Sequence, residues 1–179
     1  AFGMPPPGRT LAVAVDRLPA AHVLTWTPGR APLVRRYWTP LSADAPRQAT
    51  PDAIERIRST LDSAIAACLP GDVAWGVLLS GGIDSSYMAA TAAGARTGGH
   101  AFTSSFEAFS EVDELPWARS VAARCGLRHE EVRLGPLEAL DLLDEVVLAA
   151  AEPTAGWAAL THFRILGQAQ QRDVGLLLS

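Results

Sequence analysis

An apolar run that breaks on a glycine turn and reopens as a helix constrains this chain more than any other feature: Ala74-Trp75-Gly76-Val77-Leu78-Leu79, then Ser80-Gly81-Gly82-Ile83-Asp84-Ser85-Ser86. The run lacks the alternation of a half-exposed strand, so it predicts a central parallel strand covered on both faces. Gly81 and Gly82 have no Cβ, so they can adopt positive φ and let a ligand approach the bare backbone. Asp84, Ser85 or Ser86 can cap the helix that follows. A strand, a glycine turn and a helix N-terminus together aim several N–H groups and a positive dipole end at one point. That point suits an anion, phosphate above all.

After residue 50 helix and strand patterns alternate. Thr50 followed by Pro51 predicts a helix start, with Ile54, Ile57, Leu61, Ile65 and Cys68 forming one packed stripe. The helix after the glycine turn runs from Ser85 to about Arg96 and ends at Thr97-Gly98-Gly99. His100 to Phe106 is a second strand. A helix carrying Val112, Leu115, Val121 and Cys125 stops at Gly126, and His129 to Leu134, which alternates more visibly, is a strand nearer a sheet edge. Pro136 to Ala150 predicts one helix with Leu137, Leu140, Leu143 and Val147 inward. After Pro153 and Gly156, a last helix from about Ala158 to Gln171 leads to a strand at Val174–Ser179. Strands separated by such helices require right-handed crossovers, so the fold class is α/β: a mostly parallel sheet with helices on both faces. The first 50 residues differ, being proline-rich and β-prone at Thr10–Val15, His22–Thr27 and Leu33–Trp38, with a turn at Pro28-Gly29 that predicts a hairpin.

With 179 residues, 49% of them apolar, the chain can bury a substantial core. A net charge of −4 with scattered arginines gives no footprint for nucleic acid. Neither a membrane span nor a signal peptide is indicated. Cys68 and Cys125 are too few for a disulfide framework or zinc site and read as buried thiols in a reducing cytoplasm.

The glycine turn is not the Walker pattern, the dinucleotide G-x-G-x-x-G or the hydrolase elbow. Its Ser-Gly-Gly-x-Asp-Ser instead resembles the PP-loop of ATP pyrophosphatases, and with Leu78-Leu79 before and Ser85-Ser86 after, the version in asparagine synthetases and their relatives. Leu18-Pro19-Ala20-Ala21-His22 and Tyr37-Trp38-Thr39-Pro40 resemble stretches at the end of that family's glutaminase domain and its linker. Asp113-Glu114, Gly126-Leu127-Arg128-His129-Glu130-Glu131 and Glu152-Pro153 resemble later phrases. The resemblance implies an adenine nucleotide alpha-hydrolase-like fold, with residues 1–50 the end of a glutaminase-like domain and linker and residues 51–179 the N-terminal part of a truncated ATP-binding synthetase domain.

The activity so implied is adenylation of a carboxylate, that of aspartate, with release of pyrophosphate, then aminolysis by ammonia from glutamine. Substrates would be small molecules, the cofactors ATP and Mg²⁺, and a homo-oligomer is compatible with it. The resemblance carries the ATP site onto Leu78, Ser80, Gly81, Gly82, Asp84, Ser85, Ser86, Ser104 and Ser179, with Asp84 as Mg²⁺ ligand; no catalytic residue is assigned. The plain alternatives are Asp84 as a helix cap, Ser104 as a strand residue without ligand, Glu107, Glu111, Asp113 and Glu114 as a solvated loop, and His129 and His162 as ordinary histidines. The chain lacks the family's N-terminal cysteine nucleophile and stops at Ser179, before the Ser-Gly-Glu-Gly-x-Asp-Glu continuation, so a fragment with half an ATP site, and with weak or no turnover on its own, is expected. Rival readings are a lasso-peptide or β-lactam-type cyclase using the same adenylation, another PP-loop class, and a non-catalytic nucleotide-binding module.

Overall fold

The computed structural model describes residues 7–39, 50–69, 71–106, 114–151 and 156–179. The linker, Val112, Glu107, Glu111, Asp113 and Glu152-Pro153 lie outside the described residues. Strands β1 (His22–Thr25) and β2 (Leu33–Arg36) pair antiparallel around the Pro28-Gly29 turn, as the first 50 residues predict. Thr10–Val15 does not pair as a strand. Arg9 and Asp16 make one isolated bridge, and the Thr10 hydroxyl donates back to the Val15 carbonyl at 2.6 Å, a local hydrogen bond that competes with sheet formation.

The main sheet has four parallel strands: β3 (Trp75–Leu78), β4 (His100–Phe106), β5 (Arg128–Leu134) and β6 (Leu176–Leu178), in the order β5-β4-β3-β6. β3 is central and β5 an edge, as the apolar run and the alternating run respectively required. Successive residues point to opposite faces. Trp75, Val77 and Leu79 meet Ala89 and Ala92 of α2 (Ile83–Ala95) and Ala118 and Ala122 of α3 (Leu115–Cys125). Phe102 and Val132 meet Ile165 and Ala169 of α6 (Trp157–Gln171) on the other face. Alanines on α2 and α3 let helix backbones sit close to the sheet, and Gly126, at φ 66°, ends α3 in the left-handed conformation.

Three expectations are corrected. Helix α1 (Pro51–Cys68) starts where predicted, the Thr50 hydroxyl accepting from the Ala53 N–H at 3.1 Å, but no residue in it is buried; Ile54, Ile57 and Leu61 are exposed and only Ile65, with Leu69 beyond the helix, packs on the core. The segment from Pro136 to Ala150 is two helices, α4 (Pro136–Asp141) and α5 (Leu143–Ala150), hinged at Leu142. Its inward residues are Ala139, Leu142 and Val146, packed with Leu134 and Leu160, while Leu137, Leu140, Leu143 and Val147 face outward. Both stripes are apolar, so spacing could not choose between them. Finally, Cys68 is exposed, and Cys125 is only half-buried, packed against the rim of the core that α2 and α3 cover.

Candidate functional site

The glycine turn lies beyond the carboxyl end of β3, where open α/β sheets bind ligands. Its two glycines do different work. Gly81 has φ +83°, and a Cβ there would lie 2.6 Å from Trp117 Cβ and 2.7 Å from the Ala118 nitrogen, so the turn packs directly on the start of α3. Gly82, expected to be able to take positive φ, instead sits at φ −67° and is the N-cap of α2, which starts at Ile83 rather than Ser85. No side chain caps that helix, because Gly82 offers none and Asp84 already lies in the first turn. The N–H groups of the first turn therefore face outward at the positive end of the dipole.

The loop hydroxyls knit the turn together. Ser85 Oγ donates to the Gly82 carbonyl at 3.3 Å and accepts from the Ser80 N–H at 3.3 Å; the Ser80 and Ser85 hydroxyls are 3.0 Å apart, and the Gly82 N–H donates to Ser80 Oγ at 3.2 Å. These bonds are at the long end of the range, so a phosphate oxygen can replace them at small cost.

The loop forms one wall of a cleft of about 510 Å³. Leu78, Ser80, Gly82, Asp84, Ser85, Ser104 and Ser179 all line it, brought together from the ends of β3, β4 and β6 and the start of α2. Gly81 and Ser86 do not line it: Gly81 is turned against α3, and Ser86 Oγ is buried with no hydrogen-bond partner among the described residues. Other lining residues escaped the sequence reading of the site. Met88, Phe102 and Ile165 give the cleft an apolar floor, Thr103 lies between floor and loop, and His162 of α6 faces it from the opposite side of the sheet. Nothing local marks His162; only the crossover of α6 brings it there. Glu114, read as part of a charge run, also lines the cleft.

Electrostatically the cleft is poor in cations. Among the described residues no arginine or lysine lines it, whereas two carboxylates, Asp84 and Glu114, do. Anion binding there falls to backbone N–H groups, hydroxyls and any metal ion. Two carboxylates and several hydroxyls are hard oxygen donors that suit Mg²⁺, which takes one or two carboxylates and completes its shell with water and phosphate oxygens. Among the described residues no group of three or more His, Cys, Asp or Glu able to hold a metal occurs, so phosphate oxygens and water would complete the shell.

Behind the loop lies a buried polar contact. Thr103 Oγ1 is 2.6 Å from the Leu79 carbonyl and 2.8 Å from His129 Nε2. Burial lowers the His129 pKa, partly offset by Glu131. The Arg119 guanidinium, hydrogen-bonded to Glu131, holds that carboxyl below its usual range.

The chain is similar to several known proteins. Asparagine synthetase 3 of Bacillus subtilis, described as glutamine-hydrolysing, is 27% identical over 85% of this chain, and asparagine synthetase 1 of Saccharomyces cerevisiae, also glutamine-hydrolysing, is 28% identical over 92%. The chain spans 27% and 34% of their respective lengths. A solved NMN synthetase from Francisella tularensis is similar over 68% of this chain and 52% of its own, at 16% identity and a TM-score of 0.45. No helix among the described residues is long and apolar enough to cross a membrane. The asparagine synthase family model matches residues 56–179, a span that takes in all four parallel strands and every residue lining the cleft, and this chain belongs to that family.

Proposed function

We propose that the cleft binds ATP and that the chain carries the carboxylate-activating part of an ATP-dependent amide-forming ligase. The observation that carries this reading is the uncapped start of α2 opening onto a cleft at the carboxyl ends of β3, β4 and β6, within a family whose members are named asparagine synthetases. Residues 1–50 would then be the end of a glutaminase-like domain and linker, and residues 51–179 part of the synthetase domain.

The chemistry must bring one anion to another. A carboxylate oxygen of the substrate, aspartate on this reading, attacks the α-phosphorus of ATP; the bond from that phosphorus to the β-phosphate oxygen breaks, and pyrophosphate leaves with the charge. Ammonia then attacks the acyl carbon, forming the amide and expelling AMP. Backbone N–H groups at Ser80, Gly82 and the first turn of α2, with the Ser80 and Ser85 hydroxyls, would hold the leaving pyrophosphate and strengthen their bonds as its charge grows. Leu78 and Ser104 would border the nucleotide, and the floor of Met88, Phe102 and Ile165 suits an apolar base face. Mg²⁺, held by Asp84 and phosphate oxygens, would supply the positive charge that the described lining residues do not.

Calorimetric titration of the chain with ATP, with and without Mg²⁺, tests the binding step, and pyrophosphate release with aspartate by the full-length parent protein tests the chemistry. Saturable binding that needs Mg²⁺ and weakens at least about tenfold in Asp84→Asn is expected. Absence of ATP binding under all conditions would overturn the reading; binding with pyrophosphate release elicited by another carboxylate but not by aspartate would replace the substrate alone.

A further inference from the structure

The contact behind the loop has a direction. The Leu79 carbonyl can only accept, so the single hydroxyl proton of Thr103 is spent on it at 2.6 Å. Thr103 Oγ1 must then accept from His129 Nε2, 2.8 Å away, which assigns the histidine proton to Nε2. Burial disfavours the charged imidazole, so one ring proton remains and this contact places it. The result is a chain of donors from His129 through Thr103 to the Leu79 carbonyl.

That carbonyl lies where strand pairing stops. The Leu79 N–H, in the preceding peptide, still donates to the Phe102 carbonyl at 2.9 Å, but β3 ends at Leu78, and Thr103 takes the Leu79 oxygen in place of a strand partner. The peptide joining Leu79 to Ser80 is planar and trans, so fixing the direction of its C=O fixes the opposite direction of its N–H. The Ser80 N–H points across the turn to Ser85 Oγ. Resting on the nucleotide-site reading above, we infer that His129 and Thr103 are positioning residues, which lock the Leu79–Ser80 peptide plane so that the Ser80 N–H is aimed at the pyrophosphate portion of ATP. His129 is not among the residues lining the cleft and acts through Thr103. His129 excludes the alternative in which the Thr103 hydroxyl rotates away, leaving the peptide free to tilt.

The test compares affinities of this chain for Mg²⁺-pyrophosphate, Mg²⁺-ATP and adenosine in His129→Leu, His129→Gln and Thr103→Ser. Loss of an aligned N–H to a charged phosphate predicts about tenfold weaker ATP and pyrophosphate binding in His129→Leu with adenosine unchanged. His129→Gln, whose amide N–H can reach the same oxygen, and Thr103→Ser, which keeps the hydroxyl, should restore most of it. Equal weakening for adenosine, or failure of His129→Gln to recover while folding normally, would reduce both residues to structural ones and overturn the inference. Wild-type affinity in His129→Leu would overturn it while leaving the nucleotide site standing. A wild-type chain that binds neither ATP nor pyrophosphate would sink both.

Discussion

Replacing Gly81 with alanine isolates the physical demand made by the glycine turn. The residue sits at φ +83°, where a Cβ costs about 1–2 kcal/mol of backbone strain. The new methyl would also lie 2.6 Å from Trp117 Cβ, 2.7 Å from the Ala118 nitrogen and 2.9 Å from the Trp117 carbonyl carbon. None of these is the free end of a flexible side chain, so the start of α3 must move, an overpacking cost of about 1–3 kcal/mol. A stiffer unfolded chain returns about 0.4–1 kcal/mol. The balance is a loss of about 3 kcal/mol, equivalent to a Tm lower by about 6–12 °C for a domain of this size. Urea unfolding followed by tryptophan fluorescence measures it, since Trp75 is buried. Gly167 is the control: it lies within α6 with nothing within 4 Å of a would-be Cβ, so Gly167→Ala should stabilise by about 0.5–1 kcal/mol. Equal midpoints for Gly81→Ala and wild type, or equal losses in the two variants, would refute the steric argument.

Three other outcomes are expected. The inward face of α4 and α5 is tested by Val146→Ala, which should cost about 2 kcal/mol, against Leu140→Gln, which should change stability by less than about 0.5 kcal/mol because Val146 is 4% exposed and Leu140 62%. Acid should destabilise the fold. Burial lowers the pKa of His100, as does Arg128, and burial lowers that of His129, so the unfolded chain takes up protons first; stability is fully present above the ordinary histidine value of 6.5 and falls as pH drops below it. The lowered pKa of Glu131, set by Arg119, extends the decline as pH falls below the usual carboxyl value of 4.5, and urea midpoints measured across this range should flatten above pH 4.5 when both histidines are changed to glutamine. Lastly, Tyr87 Oη donates to Asp62 at 2.6 Å, joined by the Thr91 hydroxyl at 3.2 Å, and ties α1 to α2. Because α1 buries no residue, Tyr87→Phe should speed amide exchange in α1 while leaving β3 and β4 protected; uniform exchange rates would contradict this.

Local chemistry determined much of this protein before any contact was known. Thr50 with Pro51 starts α1, Gly126 ends α3, and the unbroken apolar run before Ser80 marks a strand buried on both faces, because caps, left-handed turns and two-sided burial depend on residues next to one another in the chain. The glycine turn and its serines were visible for the same reason. Tertiary packing decided what local pattern leaves degenerate. Which apolar stripe of α4 and α5 turns inward depends on Leu134 and Leu160, and of the apolar stripe on α1 only Ile65 reaches the core while Ile54, Ile57 and Leu61 stay exposed. His162 and Thr103 join the cleft only because crossovers bring α6 and β4 to the same edge of the sheet as the glycine turn. The direction of the Leu79–Ser80 peptide is of the same kind: Leu79, Thr103 and His129 are separated by about two dozen residues at each step, and only parallel pairing of β3, β4 and β5 brings them within hydrogen-bond reach.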